Sequence, residues 1–468
     1  MLFNSLHFLV FLPLVVGLYY LLVPRYRWLL IFAASCYFYM AFVPKYILIL
    51  FLIIIIDYCS AIAIEKSQGR SKKYWLIASL LSNILLLCFF KYFNFLNENL
   101  QVISSLFGKE FHPVNLNIIL PIGLSFHTFQ SMGYTIEVYK GKQKAEKHLG
   151  YFANYVLFFP QMVAGPIERY ETLGNELKTE HKPVYQNFSD GFKLILFGMF
   201  IKMAIADNIA PFVNQVYADP LNHTSLQVMI AVFLFSFQIY ADFYGYSTIA
   251  VGCARLLGIK IMDNFKTPYF SKSISEFWSR WHISLSTWFR DYLYIPLGGN
   301  RVRLPRWTLN ILIVFMVSGL WHGASWTFVV WGALHGIILL LERYFSILFK
   351  FKIKEEWSIL NLLLVLKTFV ITSFIWIFFR AENFAKAKDI IKALLRNHSS
   401  PTWDPNLLMP FLFIGLLLLS DIFTYNSRFD RRLNTFVTPY RWAVYTVLLF
   451  CLFALSGTQK FAFIYFQF

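Results

Sequence analysis

Two histidines stand among residues whose types and spacing allow chemistry. His282 ends the run Glu276-Phe277-Trp278-Ser279-Arg280-Trp281-His282, which is dense in Trp, Arg and Ser. His322 lies in Ser318-Gly319-Leu320-Trp321-His322-Gly323-Ala324-Ser325-Trp326, and between positions 311 and 330 no other side chain is ionisable. Imidazole gains or loses a proton near neutral pH, and an ionisable group at membrane depth marks a functional site by default. A neutral histidine there can act as general base, taking a proton from a hydroxyl as its oxygen attacks an acyl carbonyl. Gly319 and Gly323 allow close backbone approach by helices or by a substrate. Trp321 and Trp326 can wall a narrow cavity. The plainer alternative is a buried histidine satisfied by a single hydrogen bond, and it applies more strongly to His335, in the next apolar run.

Read as one helix over 273–294, Trp278, Trp281, Leu285, Trp288 and Tyr292 form an apolar stripe. Ser275, Ser279, His282 and Ser286 form a polar stripe, and Glu276 and Arg280 make an i,i+4 pair. Such a helix suits the membrane interface and places His282 near the cytoplasmic mouth of any pocket. The competing reading makes His282 structural glue between helices. His127, in Leu124-Ser125-Phe126-His127-Thr128-Phe129-Gln130, can line the same cavity. Asp57, Lys91, Asp207 and Asp242 sit in or beside apolar runs, as pocket residues or interhelical polar contacts; Asp242 has the most polar company. No phosphate-binding glycine loop, G-x-S-x-G elbow or H-E-x-x-H pair occurs, so covalent serine catalysis and metal hydrolysis lack support.

The elements that must position these residues are membrane helices. The chain has 468 residues, 58% hydrophobic and 14% charged, and a mean hydropathy of +0.55. Soluble domains carry about 25% charged residues, so composition predicts one all-α, polytopic membrane domain over 1–468. Apolar runs at about 1–23, 28–43, 46–64, 74–95, 116–139, 192–213, 226–257, two within 307–341, 359–379, 407–423 and 442–455 give eleven or twelve spans. The segment 151–167, with Pro160, Gly165 and Pro166, reads as re-entrant. The N-terminal run lacks a basic n-region and reads as a retained helix, with its start outside. Basic loops at Arg25/Arg27, Lys66–Lys73, Lys140–Lys147, Arg301/Arg303/Arg306, Lys350/Lys352/Lys354 and Arg428/Arg431/Arg432 mark the cytoplasmic side. The net charge of +17 then reflects these loops and anionic headgroups, not nucleic acid. The five scattered cysteines have no metal-ligand spacing. No internal repeat supports an inverted-repeat transporter.

Ser273–Ser286, the triplet Trp321-His322-Gly323, the Pro160–Pro166 segment and the terminal Phe463-Ile464-Tyr465-Phe466-Gln467-Phe468 together resemble the membrane-bound O-acyltransferases. Within these, the chain resembles the bacterial branch that holds the alginate and peptidoglycan O-acetyltransferase membrane subunits and, further off, the D-alanyl transfer protein of teichoic acids. Glu137 and His127 depart from it, standing where Asp and Tyr are expected. The resemblance implies helices around a central tunnel, with the essential histidine at His322 and a second at His282. It implies a cytoplasmic acyl donor, a thioester such as acetyl-CoA being the expected one; no bound cofactor and no metal are expected. It further implies a bacterial cytoplasmic-membrane location, a polysaccharide acceptor on the far side and a periplasmic or extracellular hydrolase-like partner. Trp321, Trp326, Trp278, Arg280, Ser286, Asp242 and Gln130 are the expected substrate contacts. Two other readings remain: a transporter or channel using the histidines as a proton relay, and a non-catalytic scaffold of a polysaccharide synthesis complex. The long combined motif favours acyl transfer; composition and periodicity alone leave it level with transport.

Overall fold

A computed structural model describes residues 1–116, 120–163, 165–349, 358–396, 407–425, 427–456 and 463–464. The basic cluster Lys350/Lys352/Lys354, Ala164 of the proline-rich segment and Tyr465–Phe468 of the terminal motif lie outside the described residues. The described residues are helical, with no strand. In chain order the helices are α1 (Leu6–Leu21), α2 (Pro24–Met40), α3 (Ile47–Lys66), α4 (Gly69–Leu87), α5 (Phe93–Leu106), α6 (Leu124–Tyr139), α7 (Leu149–Leu157), α8 (Asn175–Lys178), α9 (Tyr185–Met199), α10 (Asp207–Ala218), α11 (Ser225–Leu256), α12 (Ile274–Arg280), α13 (Ile283–Phe289), α14 (Leu304–His322), α15 (Trp326–Leu348), α16 (Ile359–Arg380), α17 (Phe384–Leu395), α18 (Leu408–Thr424), α19 (Phe429–Asn434) and α20 (Thr438–Leu455).

At 1.5 Å per residue, about 20 residues cross a hydrocarbon core of about 30 Å. Among the described residues eight helices, some continued through π turns, are long and apolar enough to do so: Pro44–Lys66, Gly69–Leu106, Tyr185–Ala218, Ser225–Leu256, Leu304–His322, Trp326–Leu348, Ile359–Arg380 and Thr438–Leu455. Leu6–Leu21 and Leu408–Thr424 are shorter apolar helices. The protein is therefore a multi-pass membrane protein. Exposed side chains on these helices are apolar where a lipid face needs them, such as Leu363, Phe450 and Phe453. The segment expected to be re-entrant forms only the nine-residue α7, followed by buried irregular backbone over 158–163.

The chain forms two compact units, 1–191 with 253–262, and 192–252 with 263–468. In the first, α3, α4 and α6 meet around Asp57, which is fully buried. Its carboxylate accepts from Ser79 Oγ at 2.6 Å, Asn83 Nδ2 at 2.8 Å and Ser131 Oγ at 2.5 Å. One acceptor thus joins three helices, so Asp57 is an interhelical contact.

The second unit carries the histidine motifs. Its tightest feature is the α14–α15 pair, joined by three residues, 323–325. Gly319 and Gly332 face the partner backbone so closely that a Cβ on either would stand 2.1 Å from a carbonyl oxygen, that of Phe328 or of Phe315. The close approach expected of Gly319 is therefore made by a helix. α16 packs on α15, and α12 packs on both.

Candidate active site

The sequence predicts a continuous helix over 273–294; the structure breaks it at Trp281–His282. Ser273 caps α12, its Oγ accepting from Glu276 N at 3.1 Å, and the expected Glu276–Arg280 pair forms at 2.9 Å. After Arg280 the backbone extends at Trp281, and His282 takes a left-handed conformation, φ 44° and ψ 55°. That conformation costs a residue with a Cβ about 1–2 kcal/mol. Three interactions hold it. Lys266 N donates to Arg280 O at 3.0 Å, and Ile283 N donates to Asn264 O at 3.0 Å. Asn264 Oδ1 also accepts from Ser284 Oγ at 2.7 Å. The break sends Trp281 into the core, 1% exposed, against Phe265, Phe277 and Trp376. His282 is thereby removed from the polar stripe and is fully buried. Burial pushes its imidazole down to about 3, so the ring is neutral.

His322 ends α14, where the chain turns into extended Gly323. A Cβ at Gly323 would stand 2.1 Å from the Phe328 ring, so a larger residue there would push that ring aside next to the histidine. His322 is 4% exposed, and its ring lies 6.5 Å from that of His282, centroid to centroid. Aromatic rings enclose the pair. Trp321, Trp331 and Phe379 meet His322 at 4.9, 5.1 and 5.3 Å; Phe243 meets His282 at 4.7 Å, edge to face. Two imidazoles this close, enclosed by aromatic rings, can address one carbonyl group between them.

The other expected contacts divide. Trp321 lies against both histidines, 6.2 Å from His282. Trp278 packs on Trp331 and His335. Arg280 is engaged by Glu276 and by the Lys266 carbonyl, and its guanidinium covers Tyr425. Ser286 Oγ donates back to Trp281 O at 3.3 Å. Trp326 opens α15 and is 52% exposed. Asp242 is 3% exposed; Lys202 pairs with one oxygen at 2.5 Å and Ile464 N donates to the other at 2.7 Å. Lys202 also pairs with Asp207 at 2.6 Å, five residues on along the same helical span, so the buried cation joins Asp207 within its own span to Asp242 of α11, and only Asp242 is an interhelical contact. Gln130 and His127 belong to the first unit, where they bond the carbonyls of Tyr155 at 2.5 Å and Val156 at 2.8 Å. His335 is fully buried beside Trp278 and Trp331, and among the described residues neither ring nitrogen has a hydrogen-bond partner.

Sequence reasoning gave no role to Lys202, Phe243, Phe379 or Asn264. Nor did it bring together Asn264, Phe265, Lys266, Arg428 and Arg431, which with others line a cavity of about 320 Å³. Phe265 connects this cavity to the histidines, since its ring meets Phe243 at 4.9 Å and Phe243 meets His282. Burial alone would lower the basicity of Arg428, but Asp430 and Asp263 outweigh it and keep the guanidinium charged. In the wall, Asn264 Nδ2 and Ser247 Oγ are buried without a partner among the described residues. Polar atoms left so are available to a ligand.

Residues 80–381 match the model of MBOAT, the membrane-bound O-acyltransferase family. The probable alginate O-acetylase AlgI of Azotobacter vinelandii is 38% identical over 82% of this chain and 76% of its own length. The probable alginate O-acetylase AlgI of Pseudomonas aeruginosa is 38% identical over 86% of this chain and 76% of its own. The peptidoglycan O-acetyltransferase of Helicobacter pylori is 34% identical over 80% and 74%.

Proposed function

The chain belongs to the membrane-bound O-acyltransferase family and is an acyltransferase, and from that premise we propose that it O-acetylates a cell-surface polysaccharide of the alginate or peptidoglycan kind from the bacterial cytoplasmic membrane. The observation that carries this reading is the facing of His282 and His322 at 6.5 Å inside an aromatic box. The acyl donor is a cytoplasmic thioester, with acetyl-CoA the leading chemistry. Its phosphates are held in the cavity lined by Lys266 and Arg431, since guanidinium and ammonium groups complement phosphate. The acyl end passes Phe265 and Phe243 towards the histidines.

His322 takes the proton of an attacking hydroxyl as its oxygen bonds to the thioester carbonyl carbon. The carbon–sulfur bond then breaks, and the thiolate leaves with the proton returned by the imidazolium. The balance is one hydroxyl and one thioester in, one oxygen ester and one thiol out. His282 orients the carbonyl and stabilises the charge on its oxygen. Trp321, Trp331 and Phe379 keep out the water that would hydrolyse the thioester. The attacking hydroxyl belongs to a hydrolase-like partner on the external side, which carries the acyl group away as its oxygen ester and passes it by transesterification to a polysaccharide hydroxyl, regaining its own.

The test is a deletion strain complemented with wild type, His322→Ala or His282→Asn, with membrane protein levels matched. Surface O-acetylation is expected to vanish with the first and to fall steeply with the second, since asparagine tolerates the left-handed backbone but lacks the ring. Full O-acetylation with His322→Ala would overturn the reading.

A further inference from the structure

We propose that Asp242, held by Lys202, is a positioning residue that clasps Phe463–Ile464 against α11 and through this segment fixes the ring of His282. The inference rests on the acyl-transfer reading for its functional consequence, and on separate geometry for its structure.

Three observations carry it. The first is a buried charge cluster. Lys202 is 2% exposed, in a π-helical turn over Phe200–Ala206, and contacts Asp207 and Asp242. Its backbone is pressed onto α11, because a Cβ at Gly245 would stand 2.8 Å from Gly198 O and 2.9 Å from Lys202 N. Buried ion pairs stabilise folds little against apolar replacements. A cluster of this kind, so near the reaction centre, is better placed to fix a geometry. The second is what Asp242 does with its other oxygen: it accepts the backbone N–H of Ile464, 222 residues away. The third is where that contact leads. Phe463 is fully buried, with its ring 4.7 Å from Tyr246 and 5.6 Å from Phe243. Phe243 is the ring that meets His282 edge to face at 4.7 Å.

The path is therefore short: carboxylate to peptide N–H, Phe463 to Phe243, Phe243 to His282. It acts where support is needed, because His282 sits in a backbone conformation that it does not favour by itself. Release of Phe463 frees Phe243 to tilt and the imidazole to turn from the reacting group. A loss of alignment of about 1 Å costs on the order of 100-fold in rate.

The experiment uses the full chain in nanodiscs and in cells. Ile464→Pro removes the N–H and leaves the Lys202–Asp242 pair; Phe463→Leu removes the ring and leaves the N–H. Two readouts are taken: carbethoxylation of His282 and His335 by diethyl pyrocarbonate, followed by peptide mass spectrometry, and initial rates of surface O-acetylation at matched membrane level. Both variants are expected to raise His282 modification roughly tenfold, to leave His335 unchanged and to cut the rate at least tenfold. Lys202→Met alone is expected to lose activity, and adding Asp242→Asn to restore most of it. The amide still accepts the Ile464 N–H, and the net charge of the cluster matches wild type. Unchanged His282 reactivity in Ile464→Pro and Phe463→Leu would overturn the clasp, as would equal rises at His282 and His335, which report general loosening. Altered His282 reactivity with O-acetylation retained in His322→Ala would uphold the clasp and refute the acyl-transfer reading instead.

Discussion

Replacing Gly319 by alanine tests whether helix packing sets the rate. The new Cβ would stand 2.1 Å from Phe328 O, a backbone atom that no rotamer change can move. Ordinary contact begins at 3.4 Å, so α14 and α15 must separate locally by 1.3 Å. His322 follows Gly319 by three residues, about 4.5 Å along the axis, and receives most of that shift. Misplacement of about 1 Å costs on the order of 100-fold, so the initial rate of surface O-acetyl accumulation after induction should fall about 100-fold per inserted molecule. Gly336→Ala, on the same helix pair, meets only side chains, Phe315 at 3.3 Å and Leu312 at 3.4 Å, and should stay within about threefold. Gly415→Ala meets nothing among the described residues and should be silent. If Gly319→Ala retains the wild-type rate at the wild-type membrane level, the reasoning from packing to rate is refuted.

Asp57→Ala removes one acceptor from three helices. At about 0.6 kcal/mol for each membrane hydrogen bond it should cost about 2 kcal/mol in a detergent unfolding titration. Asp57→Asn should cost less than half of that, and equal losses would count against the pin. Glu146 lies in the loop after α6, outside the spans. Burial alone would push its carboxyl up, but Lys178, Tyr170 Oη and His148 N outweigh it and hold it below its ordinary 4.5. Its contribution is therefore full above pH 4.5 and lost as pH falls through the lower folded value. Wild type should melt higher than Glu146→Gln at pH 6, with the gap closing below pH 4.5; a gap independent of pH would refute the assignment.

Much of this was legible before any coordinates. The resemblance to the family rests on the run ending at His282 taken together with the Trp-His-Gly triplet, the proline-rich segment and the terminal motif; the triplet alone is weak. Gly319 and the Glu276–Arg280 pair were readable because helical contacts lie three or four residues apart. The break at His282 was not. It depends on hydrogen bonds donated to Asn264 and donated by Lys266 N, and periodicity within 273–294 carries no trace of them. Asp242 was singled out for its polar neighbours, yet its partners are Lys202, inside an apolar run, and Ile464, 222 positions on. Contacts at that range leave no local pattern.

The contact between Asp242 and Ile464 also sets an order of events at the ribosome. His282, His322 and the rings of α15 and α16 are all synthesised and inserted before Ile464 emerges. A nascent chain that stalls or is cut anywhere after α16 holds both histidines and most of their aromatic box, but lacks the clasp behind His282. Such fragments would keep the fold around an idle centre. Competence arrives only with a chain translated to Ile464.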